Sequence, residues 1–276
     1  MTPAAGVDVG GTKIDACIVD PQTGEVQARE RIPTLPERGG REMLDDCVAL
    51  VRRLAGGQSL SSIGIGVCEF VDRAGGITSA FTLEWVGVDV AGRFRQLAPT
   101  TVEADVRAAA LAEARFGAGR GISDPWLYVT IGTGISYSLV LEGRPFEGAR
   151  GNAIVVGAPP AERLASGLGL ARAAGRTRAE DVLEDPACAD VVATGAAALG
   201  AALAMLANAL DPTKIVVGGG LGLATSYRDA AVAVMRDLIE ATGTREVPVV
   251  PAGLGDLAGP LGAAIAGADR AANEGR

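Results

Sequence analysis

The chain opens on an alternation of apolar and polar positions around a glycine pair. Val7 and Val9 lead into Gly10-Gly11-Thr12-Lys13, and Ile14-Asp15-Ala16-Cys17-Ile18-Val19 leaves it. A period of two over runs this short predicts β-strands. Asp20-Pro21-Gln22-Thr23-Gly24 predicts a turn and Val26 to Ile32 a third strand. From Glu42 to Leu54 the period lengthens, and Met43, Leu44, Cys47, Val48, Val51 and Leu54 share one face of a helix. Ile63 to Val67 predicts a short buried strand. Three strands, a helix and a strand in succession define an α/β unit on a mixed sheet. Ser79 to Trp85 has no period and reads as a loop lining something.

The plan then repeats. Pro99 to Val102 re-enters the sheet, and Asp105 stands at the mouth of a helix running to about Phe116. Tyr128 to Ile131, the turn Gly132-Thr133-Gly134, a second alternating run from Ile135 to Leu141 and Glu142-Gly143 restate the opening segment. Two such units predict a duplicated fold facing itself across a cleft. Helices are expected at 162–174, 179–183, 226–242 and 259–271, and strands at 215–217 and 247–250. The twenty residues from Val191 to Leu210 carry no charge and are long enough to span a bilayer. Their richness in Ala favours a buried core helix, so no membrane association is expected.

Composition narrows the chemistry. The 276 residues hold no histidine, which removes Ser-His-Asp hydrolases and His-ligated metal sites. Four cysteines at 17, 47, 68 and 188 form no CxxC pair, so no zinc site is expected. A net charge of −8 argues against nucleic acid, although backbone N–H groups hold a nucleotide's phosphates without basic side chains. The start of the chain lacks a signal-peptide pattern, which predicts a cytoplasmic protein.

Three glycine turns follow strands: Gly10-Gly11, Gly132-Thr133-Gly134 and Gly218-Gly219-Gly220. The third lacks the spacing of a dinucleotide fingerprint, and the chain has no GxxxxGK[ST] loop. The three turns together suit a polyphosphate. Asp8 stands beside the first turn, where a hydrated divalent cation takes a carboxylate. Asp105 is suited to capping its helix and to accepting a proton from a substrate hydroxyl.

Taken in order, these segments resemble the ROK family of sugar kinases over nearly the whole chain. Asp8 to Lys13 resembles the first phosphate motif and Gly132-Thr133-Gly134 the second. Glu103-Ala104-Asp105 resembles the segment carrying the catalytic base, and Leu210-Asp211-Pro212 with Ile215 to Gly220 the nucleoside-side strand and turn. Ala258 to Ala263 resembles the start of the closing helix. The resemblance implies a duplicated ribonuclease-H-like, actin-like ATPase fold. Its N-terminal lobe would span 1–104 with the closing helix 259–276, and its C-terminal lobe 105–258, around a nucleotide and substrate cleft. It implies ATP and Mg2+ as cofactors and a homodimer. Gly10, Gly11, Thr12, Lys13, Thr133, Gly134 and Gly218 to Gly220 would bind the nucleotide, Asp8 the Mg2+ through water, and Asp105 would be the general base.

The acceptor side departs from the family pattern. Val155 stands where the sugar-binding Glu is usual, and Ala158 where a His is usual. The cysteine-rich zinc loop that should follow is absent. Ala104 and Thr82 each replace an Asn, and Glu69 replaces a Gly, whereas Glu162 matches a retained sugar-binding Glu. The expected acceptor is therefore a polyol other than plain glucose, such as an aminosugar or a C7-cyclitol, contacted by Glu69, Thr82, Ala104, Asp105, Asn152 and Glu162. Glu69 would face a substrate ammonium. The alternatives are a hexose kinase of relaxed specificity and a non-catalytic sugar- or nucleotide-binding protein.

Overall fold

The structure is a computed structural model that describes residues 2–156 and 159–274. The chain divides into two compact units. The first comprises residues 2–116, 147–153 and 256–274, and the second 117–146, 154–156 and 159–255. The boundary differs from the expected one at 104/105. The helix that opens at Asp105 packs on the N-terminal sheet, and the short segment 147–153 also returns to it.

In the first unit, β1 (Ala4–Val9), β2 (Lys13–Val19) and β3 (Val26–Pro33) form an antiparallel meander. β4 (Ile63–Val67) and β5 (Thr100–Ala104) add parallel to β1, in the order β3-β2-β1-β4-β5. Helices α1 (Gly40–Ala55), α2 (Val90–Phe94) and α3 (Asp105–Phe116) connect the strands. The second unit repeats the pattern. β6 (Trp126–Ile131), β7 (Ile135–Leu141) and β8 (Arg144–Pro145) are the meander, and β9 (Ile215–Gly218) and β10 (Val249–Pro251) run parallel to β6, in the order β10-β9-β6-β7-β8. Its helices are α4 (Pro159–Ala165), α5 (Gly167–Ala173), α6 (Ala179–Glu184), α7 (Ala189–Leu210), α8 (Gly220–Leu223), α9 (Thr225–Asp237) and α10 (Thr242–Arg245). α11 (Ala258–Glu274) returns to the first unit.

α11 lies against β1 and β4 with almost nothing between the two backbones. A Cβ on Gly6 would sit 1.8 Å from the Pro260 carbonyl oxygen, and one on Gly64 only 1.6 Å from that of Ala263. Gly6 and Gly64 are register partners on the two strands, so side-chain-free positions on the sheet meet the helix directly. On its other side, a Cβ on Gly262 would be 1.7 Å from the Ala108 carbonyl oxygen of α3. The turn leading into α11 is held by charge. Buried Asp15 on β2 accepts from Arg29 Nη2 at 2.7 Å and Arg31 Nε at 2.5 Å, and both arginines also pair with Asp256.

α7 is the core helix of the second unit. The segment 186–210 is long and apolar enough to cross a membrane. In the fold its Ala196, Leu199, Leu203, Leu206 and Ala207 are buried in one cluster with Val129 and Ile131 of β6, Val217 of β9 and Met235 of α9. The closeness to α9 depends on Gly200, where a Cβ would come 2.4 Å from the Ala231 carbonyl oxygen.

Local differences from the sequence reading have local causes. The expected helix 162–174 is two helices, because the Ser166 hydroxyl caps α5 by accepting from the Gly169 amide at 3.1 Å. The expected helix 226–242 stops at Asp237 and resumes as α10.

Candidate active site

In open α/β sheets, ligands bind beyond the carboxyl ends of the parallel strands, where loops carry free backbone groups. In the first unit the sequence-derived residues gather at that edge. β1 ends at Asp8-Val9 and the turn Gly10 to Lys13, β4 ends before Cys68-Glu69, and β5 ends at Ala104 before Asp105 opens α3. Gly66 of β4 lies between the two aspartates. A Cβ there would be 3.6 Å from the Asp105 Cα and 3.7 Å from Asp8 Oδ1.

Burial and crowding raise both carboxyls. Asp8 is pushed up to about 7, first by loss of solvent and then by Asp105 and Asp15. Asp105 is pushed up to about 6 by burial, against a hydrogen bond from the Val106 amide at 2.6 Å and the Arg107 charge. Asp105 is thus the first residue of its helix and accepts from the next amide, a tighter arrangement than the cap expected. A carboxylate near 6 is ionised at neutral pH and basic enough to take a proton in a transition state.

The first glycine turn closes on itself. The Gly10 amide donates to the Lys13 carbonyl at 3.0 Å, and the buried Thr34 hydroxyl braces the loop by donating to the Gly10 carbonyl at 2.7 Å. Gly11 and Thr12 form its tip, with Thr12 and Lys13 exposed. A Cβ on Gly11 would lie 3.1 Å from the Thr82 methyl, so the 79–83 loop is packed against this turn. Asp8 faces the start of α11, where a Cβ on Gly259 would be 2.3 Å from Asp8 Oδ2.

Two acceptor-side expectations are corrected. Ala104 is fully buried within the sheet, so its methyl offers nothing to a ligand. Glu69 is only 2% exposed, and its carboxylate is already occupied. Oε2 accepts from the Ser79 hydroxyl at 2.5 Å and the Phe81 amide at 2.9 Å. Oε1 accepts from the amides of Thr82 at 2.5 Å and Leu83 at 2.8 Å. A carboxylate has about four acceptor sites, so none is left for a substrate ammonium.

Asn152 is exposed on the returning segment 147–153. Its neighbour Gly151, at φ +82°, sits so close to Val71 that a Cβ would be 2.2 Å from that carbonyl oxygen. Sequence reasoning missed what holds this segment. Arg107, buried within α3, donates to the carbonyls of Gly151 and, at 3.0 Å, Val71, and pairs with Glu103 Oε1 at 2.6 Å. The available signal was an arginine immediately before the Ala-rich run of the helix.

In the second unit the corresponding edge carries the other turns. The Gly132 amide donates to the Gly134 carbonyl at 3.0 Å, a self-closure one residue tighter than that at Gly10. The Gly167 amide holds the Gly132 carbonyl at 2.7 Å and the Leu168 amide the Thr133 carbonyl at 3.3 Å, which ties the turn to α5. Glu162 Oε1 lies 3.6 Å from where a Gly134 Cβ would be. Glu162 therefore stands at the phosphate-type turn of its own unit. Gly219, at φ +78°, is pressed onto the end of β6, with a Cβ 2.4 Å from the Ile131 carbonyl oxygen, whereas Gly220 meets nothing within 4 Å. Val155 is 52% exposed. Ala158 lies outside the described residues. Among the described residues, no group of three or more Cys, Asp or Glu side chains is placed to hold a metal ion by itself.

Comparison with known proteins shows the family and the fold. The ROK family model matches residues 4–164 and 161–269. A ROK family glucokinase from Streptomyces griseus, solved with glucose and AMPPNP, superposes with a TM-score of 0.84 at 26% identity, covering 97% of this chain and 99% of that one. The fold is the duplicated, actin-like ATPase fold of the ROK glucokinases. The chain belongs to the ROK family. It is similar to a glucokinase of Halalkalibacterium halodurans, 32% identical over 267 residues that cover 79% of this chain and 80% of the relative. It is also similar to a kanosamine kinase of Amycolatopsis mediterranei, 29% identical over 298 residues covering 95% of each.

Proposed function

We propose that this chain is an ATP-dependent kinase that phosphorylates a hydroxyl, most simply a primary one, of a sugar-like polyol such as an aminosugar or a C7-cyclitol. The observation that carries the reading is the pair Asp8 and Asp105 at the carboxyl ends of β1 and β5, with a self-closed glycine turn beside Asp8. Gly10 to Lys13 on the first unit, and Thr133-Gly134 and Gly218 to Gly220 on the second, are the residues proposed to contact the nucleotide.

Mg2+ is usually held by one or two carboxylates together with substrate phosphates and water, and Asp8 next to Asp105 fits that requirement. Bound there, the ion would neutralise charge on the phosphates. Asp105 would accept the proton of the acceptor hydroxyl as its oxygen bonds to the γ-phosphorus and the bond to ADP breaks. Phosphoryl transfer needs little beyond positioning and charge stabilisation.

For the acceptor, the similarity to a kanosamine kinase supports an aminosugar, and Val155 in place of the usual Glu supports an acceptor other than plain glucose. Because Glu69 is occupied, an amino group would be read by other residues, with Glu162 and Asn152 the available polar candidates. The similarity to a glucokinase favours a second reading, a hexose kinase of relaxed specificity.

The test is ADP release over a panel of glucose, mannose, glucosamine, kanosamine and C7-cyclitols. ADP release that depends on an amino or cyclitol acceptor, with kcat/KM above that for glucose, supports the proposal. Preference for glucose supports the second reading, and no turnover with any acceptor sinks both. In Gly259→Ala, the new methyl displaces the Asp8 carboxylate. The variant is expected to stay folded by circular dichroism while kcat falls at least about tenfold and half-saturation by Mg2+ rises, since small misplacements in a site are costly.

A further inference from the structure

We propose that Glu69 is a positioning residue whose buried carboxylate fixes the shape of the 79–83 loop and so sets the acceptor-binding surface. The inference rests on the kinase reading for the word acceptor and on geometry alone for the loop. Residues 79–83 form no helix or strand. A loop of this kind ordinarily leaves its amides to water. Here three consecutive amides, Phe81, Thr82 and Leu83, and the Ser79 hydroxyl converge on one carboxylate at 2.5 to 2.9 Å. The loop wraps Glu69 as a backbone nest wraps an anion.

Ser79 extends the arrangement to the strand side of the site, because its oxygen also accepts from the Phe70 amide at 2.8 Å. Thr82 is thereby held with its methyl against Gly11 of the phosphate-type turn. Phe81 is left 78% exposed, its ring 5.9 Å from that of Phe70 in an edge-to-face pair. The loop's shape is thus dictated by a charge that touches no ligand. What the carboxylate contributes is geometry. Thr82 is presented beside Gly11 in one conformation, held by a carboxylate close enough to Asp105 to act on its charge, and the order needed to bind an acceptor is present before it arrives.

The experiment compares the wild-type chain with Glu69→Gln and Ser79→Ala by residue-resolved amide hydrogen exchange without ligand, and by initial rates with ATP and each acceptor of the panel. In Glu69→Gln the side-chain amide turns two donors toward the loop's own donors. The Phe81, Thr82 and Leu83 amides should exchange about ten- to a hundredfold faster, as expected for losing hydrogen bonds to a charged acceptor. The amides of β1 to β5 should be unchanged. Ser79→Ala, which removes one of the four donors, should give a smaller change at the same three amides, and it serves if Glu69→Gln does not fold. In the rates, the acceptor KM should rise about tenfold in Glu69→Gln while the ATP KM and kcat change less than about threefold.

Unchanged exchange at 81–83, or acceleration spread over the whole sheet, overturns the proposal. So does a fall in kcat at unchanged acceptor KM. If wild-type protein phosphorylates no acceptor, the kinase reading fails, and the exchange rates still decide whether Glu69 holds the loop.

Discussion

Asp105→Asn is expected to lower kcat by about a thousandfold, within the range that general base catalysis supplies, while leaving ATP binding intact. The substitution keeps shape and removes the lone pair that takes the proton. The position tolerates it structurally, because the Val106 amide that donates to Asp105 Oδ1 still finds an oxygen on the amide side chain. The pH profile gives a second, independent reading. Burial raises Asp105 to about 6. Above that value the group is ionised and competent, and below it the proton is already in place and the base is lost. Activity should therefore fall as pH drops through about 6, with saturating substrates and at constant ionic strength. Asp105→Asn should be slow and should lack the limb near 6, so that any limb left belongs to Asp8, the neighbouring carboxyl raised to about 7. More than a few per cent of wild-type kcat in the variant would remove Asp105 from the mechanism. A limb centred well away from 6 would show that another group controls the rate.

Gly64→Ala should be nearly as damaging, through the fold and not the chemistry. Its Cβ would fall 1.6 Å from a carbonyl oxygen of α11, a distance that no rotation relieves because both partners are backbone. Helix and strand must separate, and separation exposes the apolar faces of Ala263, Ala264 and Ile265, all fully buried. A loss of about 4 kcal/mol or more is expected, at the upper end of what single substitutions cost and a large share of the 5–15 kcal/mol that holds a typical domain. Denaturant titration measures it. Gly243→Ala is the control, since a Cβ there meets nothing within 4 Å and an exposed helical Gly→Ala change is neutral or mildly stabilising. Equal midpoints for Gly64→Ala and wild type would mean that α11 does not pack as described.

Features written in neighbouring residues are legible in the sequence. The strand expected at Ile63 to Val67 is β4 at the same bounds. The turns at Gly10-Gly11 and Gly132 to Gly134 read as equivalents because strand, glycine turn and strand lie next to one another in the chain. Features that depend on distant partners are not legible. Glu69 reads as a carboxylate free to face a substrate ammonium because its four donors lie ten to fourteen residues downstream, in a stretch without periodicity. Arg107 meets Val71 and Gly151, and Gly259 meets Asp8, across separations that leave no mark on local spacing. Ala104 draws notice for the residue it replaces, and only the packed fold shows that it is fully buried. The five-residue helix α2 is too short for a period, and its Asp89 cap, accepting from Gly92 at 2.8 Å, is its one signal.

The first unit is assembled from three separate stretches of chain, the last of which supplies α11. During synthesis the five strands of its sheet are complete long before the helix that covers β1 and β4 leaves the ribosome. The second unit lies almost entirely between them, so it can fold as it emerges, domain by domain. The first sheet must wait, with the bare backbone at Gly6 and Gly64 uncovered. Arrest of translation ahead of residue 258 should therefore yield nascent chains protease-resistant in the later-made half and cleavable in the earlier-made one.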